Sequence, residues 1–311
     1  MKNKYKPEGF TSSHEKYKAK KPLRSPTSLV YDDNIYEGTA VKCDSDLNLW
    51  VDYCGIKCKM PREEVNYLFP GEKDKDIAVI SRVGKPVCFK VIGINKNPRG
   101  EDELLISRRQ AQIECLQEYI EKLTVGDIID ARVTHMEQFG AFCDIGCGVI
   151  SLLSVDCISV SRISHPRDRF EIGDSIRAIV KSRNDDGRIF LTHRELLGTW
   201  EENAAMFSQG QTVAGVIRSV ESYGVFIELT PNLAGLAETR DDVFPSQPAA
   251  VYIKSILPER MKIKLVLIDT KGTELPRTSV KYIGDIYKRS HIESWTYSPA
   301  NCSKLIESRF I

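Results

Sequence analysis

Apolar positions along this chain fall mostly into short runs or alternate with polar ones, and Gly, Pro, Asn and Asp punctuate them every few residues. Alternation with a period of two marks strands that bury one face. The pattern is clearest between residues 125 and 194. There, strands are predicted from Asp127 to Met136, Gln138 to Ile145, Gly148 to Leu153, Ser175 to Ser182 and Gly187 to Thr192. Five short strands in about 70 residues suit a small closed barrel. Two stretches switch period: Ile113, Leu116, Ile120 and Leu123, then Leu196, Trp200, Ala204 and Phe207, recur at spacings of three and four. They predict connecting helices over residues 111–124 and 195–208, each with one apolar stripe that packs on a neighbouring barrel.

The pattern repeats. Leu104-Leu105-Ile106-Ser107-Arg108-Arg109 falls on Ile189-Phe190-Leu191-Thr192-His193-Arg194 at a shift of about 85. Val125-Gly126-Asp127 falls on Gln209-Gly210-Gln211, and Phe139-Gly140-Ala141-Phe142 on Tyr223-Gly224-Val225-Phe226, both displaced by about 84. Three units of one architecture follow, at residues 35–110, 125–194 and 209–269. The expected fold class is therefore dominated by β-structure: tandem five-stranded barrels joined by short connecting helices. The extension 270–311 lacks the repeat pattern, and its Trp295 and Tyr297 either cap the third barrel or meet a partner.

Composition narrows the classes. Hydrophobic residues at 41% and charged residues at 28% are ordinary for a globular protein and exclude wholesale disorder. Lys and Arg number 44 against 43 Asp and Glu, so no global field announces a polyanionic partner and any such site must come from local patches. One patch is residues 1–34, where Lys2, Lys4, Lys6, Lys16, Lys18, Lys20, Lys21 and Arg24 are interspersed with Pro7, Pro22 and Pro26. That stretch reads as a flexible basic arm, either simply solvated or touching a nucleic-acid backbone. Nine cysteines are present. Cys54/Cys58 and Cys143/Cys147 are spaced by four with no facing pair. They read as reduced thiols of a cytoplasmic protein, with no metal and no cofactor expected. Met1-Lys2-Asn3-Lys4-Tyr5-Lys6 is not followed by an apolar segment, and no run of about 18 apolar residues occurs, which disfavours export and membrane spanning.

Candidate chemistry centres on Phe139-Gly140-Ala141-Phe142. In a plain strand, residues three apart face opposite sides, so the two rings would split between core and solvent. A glycine bulge at Gly140 could turn both outward as a platform for bases, where each stacked base contributes roughly 1–3 kcal/mol. Spacing alone leaves core packing open as the alternative. Phosphates passing such a platform need cations, and Arg132, Arg162, Arg167, Arg169, Lys181, Arg183 and Arg188 are the candidates in this unit.

Residues 125–194 resemble the S-one RNA-binding domain, the OB-fold repeat named for ribosomal protein S-one. The resemblance rests on Val125-Gly126-Asp127, Phe139-Gly140-Ala141-Phe142, Gly148-Val149-Ile150, Ser164-His165-Pro166, Ile172-Gly173-Asp174 and Gly187-Arg188-Ile189-Phe190-Leu191, in family order. It implies RNA contact through Phe139, Phe142 and Arg188. Ser151 stands three after Gly148, where the family has a histidine, and Asn184 stands at an acidic position. The third unit is similar more loosely, through Tyr223-Gly224-Val225-Phe226 and Asn232-Leu233-Ala234-Gly235-Leu236. Glu238 takes its histidine place and Lys262 its arginine place. The first unit keeps Glu37-Gly38-Thr39 and the closing strand but no aromatic pair. Its Trp50 is either a stacking ring or core, and the leading repeats of the family suggest protein docking for the unit.

These readings imply a short, three-repeat bacterial-type relative of ribosomal protein S-one. It would be a non-catalytic binder of single-stranded RNA, with mRNA held near the small ribosomal subunit as the expected partner. The competing expectations are a scaffold of barrels that binds protein with weak RNA affinity and an accessory subunit of an RNA-processing complex. A nuclease is a further class, since the domain is also appended to polynucleotide phosphorylase. Asp44, Asp46 and Asp52 are the nearest approach to a carboxylate cluster, and loop solvation accounts for them.

Overall fold

The computed structural model of the chain describes residues 4–10, 29, 32–73, 75–96, 100, 102–270, 281–284 and 286–310. Three closed five-stranded barrels follow one another. The first is built from β1 (Tyr36–Cys43), β2 (Leu49–Tyr53), β3 (Ile56–Met60), β4 (Pro86–Lys96) and β5 (Asp102–Ser107). The middle barrel has β6 (Ile128–Glu137), β7 (Gly140–Asp144), β8 (Ile150–Ser154), β9 (Ser175–Arg183) and β10 (Ile189–Thr192). The third has β11 (Thr212–Glu221), β12 (Gly224–Thr230), β13 (Leu233–Ala237), β14 (Pro248–Leu257) and β15 (Lys262–Asp269).

In each barrel the strands are ordered first, second, third, fifth, fourth, and the fourth closes onto the first. The third and fifth strands run parallel and every other pair antiparallel. A register shift recurs in the first strand of each barrel, at Ala40/Lys42, Val133/His135 and Ile217/Ser219. A bulge there raises the local twist that closing so small a sheet requires. Each barrel buries its own apolar core, and that burial is the main drive holding the strands together.

The connections differ in detail from the expected helices. Helix α1 (Asp76–Ile80) lies within the first unit. Helix α2 (Arg108–Glu118) starts directly after β5, because the Ser107 hydroxyl accepts from the Gln110 N–H at 2.9 Å and caps it. The second connection has only a 3₁₀ turn at Arg194–Leu197 followed by helix α3 (Trp200–Ala204), fixed by a Thr199/Glu202 capping box.

Residues at both ends of the chain join the barrels. Tyr5 and Glu8, within the stretch expected to be a free arm, are buried between the first and middle barrels. The Glu8 carboxylate is bidentate to Arg108, at 2.6 and 3.0 Å, and also meets Arg82 at 3.3 Å and the Cys88 N–H at 3.0 Å. Arg108 is fully buried and donates further to Val65, Asn66 and Gly148. Gly148 has φ +78°, and a Cβ there would stand 1.8 Å from an Arg108 nitrogen. Burial, which would raise the Glu8 pKa, is outweighed by the two arginines, so Glu8 is held below the usual range. Burial and the nearby Glu8 carboxylate push Asp144 up instead. Lys16, Lys18, Lys20, Lys21, Arg24 and Lys2 of the expected arm lie outside the described residues.

At the other end, strands β16 (Ser294–Thr296) and β17 (Glu307–Arg309) pair, and Trp295 and Tyr297 enter the core of the third barrel. Ile286 and Phe310 pack with Ile128 and Ile179 of the middle barrel and with Leu196 of the turn that follows it. The extension therefore straps two barrels, while residues 271–280 lie outside the described ones. Asn232, from the motif singled out in the third unit, is fully buried and bonds across to Arg194, Gly198 and Val160.

Candidate nucleic-acid interface

Both phenylalanines of the middle motif face outward, but not through a bulge at Gly140. Glu137 pairs with Gly140, so Gln138 and Phe139 form a two-residue hairpin turn, and Phe139 leaves the strand altogether with 55% exposure. Phe142 then faces out by simple alternation, because Ala141 and Cys143 point into the core. Gly140 is needed for a different reason: a Cβ there would stand 2.6 Å from the Leu153 carbonyl oxygen. The ring centroids of Phe139 and Phe142 lie 5.9 Å apart at 88°.

Register extends this pair into a row across the barrel wall. Phe142 lies opposite His135 on β6 and Leu152 on β8; Leu152 lies beside Phe190 on β10, and Phe190 opposite Ser182 on β9. The His135 ring stacks on Phe142 with centroids 5.9 Å apart and an interplanar angle of 28°. Sequence reasoning missed His135, Leu152 and Phe190 as members of this face. The signal for His135 was present only if the bulge before it was known, since without the bulge it counts to the core side.

The third barrel repeats the geometry. Ser222 and Tyr223 form the turn, Tyr223 is 67% exposed, and its ring meets Phe226 at 6.1 Å and 88°. Phe226 lies between Ser219 and Leu236, and Leu236 lies beside Lys264. Lys262 is exposed at the start of β15, and Glu238 is exposed just past β13. In the first barrel, Trp50 occupies the place of Phe142, opposite Lys42 and Lys59. Trp50 is thus outward rather than core; its Nε1 donates to Asp44 at 3.1 Å and Lys59 Nζ sits 5.9 Å from the ring. Asp44 also accepts from Asp46 and Asn48, which accounts for it as the organiser of a turn.

Other expected contacts sit elsewhere. Ser151 is buried, opposite Cys143, and its hydroxyl donates to the Ile189 carbonyl at 2.6 Å; the outward neighbour is Leu152, one residue on. Ser151 thus lies on the core side of an alternating strand. Arg132 lies against the N-terminal segment: a Cβ at Gly9 would come 2.5 Å from its Nη1. It lies opposite Asp144, away from the aromatic row. Lys181 is exposed and donates to Cys157 Sγ at 3.2 Å. Asn184 is exposed at the tip of the β9–β10 hairpin, where its N–H donates to the Arg188 carbonyl. Arg188 is at the row's edge and paired with Asp186 and Glu72, each at 3.1 Å. Arg169 is buried against Glu228 at 2.5 Å and joins the middle and third barrels instead of facing solvent. Among the described residues, no group of three or more His, Cys, Asp or Glu side chains is placed to hold a metal ion.

Three closed barrels of one topology, each carrying an outward aromatic at the same register position, define a tandem OB-fold protein. Residues 122–194 match the family described as S1 RNA binding domain, the S-one domain, and the three closed barrels of the chain fit three OB-fold repeats. It is 31% identical over 239 residues to Small ribosomal subunit protein bS1 of Leuconostoc lactis, covering 73% of this chain and 51% of that protein. The corresponding protein of Staphylococcus aureus (strain COL) is 34% identical over 190 residues, covering 56% of this chain and 48% of that one. The chain thus spans about half the length of these curated relatives. A crystal structure of a multidomain protein with nucleic acid binding domains from Streptococcus pneumoniae TIGR4 aligns over 80% of this chain and 77% of its own, at 15% identity and a TM-score of 0.26.

Proposed function

We propose that this chain is a non-catalytic RNA-binding protein that holds single-stranded RNA on the outer wall of its middle barrel. Bases stack on Phe139 and Phe142, and Arg188 meets the backbone. The observation that carries the reading is the repeated edge-to-face pair on the outer wall, Phe139/Phe142 and Tyr223/Phe226, in which the turn rings Phe139 and Tyr223 are exposed and Phe142 and Phe226 are half-buried. Large rings held in water at the same turn of two repeats do nothing for either core, whereas they suit stacking on bases. The third barrel binds more weakly, because its row carries Lys264 where the middle barrel has Phe190.

The relatives' names, Small ribosomal subunit protein bS1, support a role in translation, with mRNA held near the small ribosomal subunit in the cytoplasm. The first barrel docks protein in this reading. Fluorescence anisotropy with a labelled oligouridylate tests RNA binding. An affinity unchanged in the double variant Phe139→Ala, Phe142→Ala would sink the proposal. With Mg²⁺ or Mn²⁺ added, the same RNA should remain intact.

A second reading, a protein-binding scaffold with little RNA affinity, is favoured by one observation: Lys181 and Arg188, two expected phosphate ligands, already have partners within the chain. Pull-down with and without ribonuclease separates the two, since direct protein partners survive the nuclease.

A further inference from the structure

A cleft of about 760 Å³ separates the aromatic row of the middle barrel from residues 66–69 and 71–73 of the first unit. Phe142, Leu152, Phe190 and Arg188 form one wall; Tyr67, Phe69, Glu72 and Lys73 contribute to the other. The loop is seated by a bond from the Tyr67 N–H to Gln112 on α2, at 2.8 Å. A turn in which Phe69 and Glu72 exchange two hydrogen bonds, at 2.9 and 3.0 Å, holds its tip.

The contacts made to Arg188 are of a particular kind. Its guanidinium carbon lies 5.0 Å from the centre of the Phe69 ring, and Nη2 meets the Glu72 carboxylate at 3.1 Å. A flat π-face and an anion are the two groups that one nucleotide of RNA presents to an arginine. We propose that this cleft is a composite single-stranded RNA subsite, in which the phosphate of an entering nucleotide takes the place of Glu72 on Arg188. The base lodges between the Phe69 side and the Phe142/Phe190 side, and Lys73 adds a cation at the mouth. The inference rests on the RNA-binding reading above and assigns to the first barrel a direct part in it.

Displacing Glu72 is energetically light. Both side chains are more than a third exposed, at 37% and 39%, and such pairs contribute little in water. The barrels do not depend on it for their junction, which the buried Glu8–Arg108 pair and the packing around Tyr5 hold together.

The test uses the full chain and a fluorescein-labelled oligouridylate, with anisotropy measured for Glu72→Gln, Phe69→Ala and the Phe139→Ala, Phe142→Ala control. Removing the competing anion should tighten binding about twofold to fivefold, the scale of an exposed ion pair. Phe69→Ala should weaken binding by a similar or larger factor. A thiouridine-substituted RNA should photocrosslink to the segment holding Tyr67 and Phe69. If the control loses affinity while Glu72→Gln and Phe69→Ala bind as the parent does and crosslinks are confined to the middle barrel, the composite cleft is overturned and the RNA-binding reading stands. If the control leaves affinity unchanged, both fall together.

Discussion

Phe142 faces solvent because two core residues flank it on β7, and Phe139 does so because it sits in the turn before that strand. Stacking of one base is worth roughly 1–3 kcal/mol, so Phe142→Ala alone should weaken RNA binding by about fivefold to more than a hundredfold. Gly140 has a purely structural role in the same motif. Gly140→Ala forces a methyl against the Leu153 carbonyl and should lower stability by about 1–3 kcal/mol in urea titration. The motif itself was legible as sequence, since its aromatic and glycine spacing recurs at Tyr223 and Phe226. The side to which its neighbours point was less so. Ser151 points inward and Leu152 outward in an alternating strand, and His135 lies beyond a bulge that no composition signal marks.

Among elements, the strands and their order follow from alternation and turn residues, and the barrels were legible for that reason. The short connecting helices were legible too, with ends displaced by a few residues, but the docking of the chain's N-terminal segment was not. Residues 4–10 read as a charged arm, yet Glu8 finds Arg108 a hundred positions away, and no local pattern carries a contact of that range. Arg108 is fully buried, so Glu8→Ala removes its bidentate carboxylate partner inside the junction. A loss of about 3–5 kcal/mol is expected, read from urea unfolding of the full chain. His193, at the end of β10, gives the junction with the C-terminal strap a pH dependence. Burial pushes it down to about 4, from a usual 6.5, while its ring touches Phe170 and Tyr282. Between those values the unfolded chain takes up a proton that the folded one refuses, so stability present above pH 6.5 is lost as pH falls toward 4. The stability difference between the parent and His193→Gln should shrink by about 3 kcal/mol from pH 7 to pH 4. A difference constant with pH would mean that His193 does not titrate this way.

At the scale of the whole molecule, the near-neutral charge of +1 gives no long-range attraction for RNA, so the proposed function rests on the row of rings and its few bordering cations. That arrangement predicts a shallow salt dependence compared with a strongly basic domain, because few phosphates are neutralised and few counterions released. The third barrel keeps the rings but replaces Phe190 with Lys264, and the first keeps a single tryptophan, so the three walls are graded rather than equivalent. The central claim concerns the middle wall, and anisotropy of a labelled single-stranded RNA, titrated with the parent chain and with Phe139→Ala, Phe142→Ala at low salt, tests it most directly. Saturable binding by the parent and a loss of at least tenfold in the double variant is the expected result. Equal affinity of the two proteins, or no binding by the parent, would contradict it.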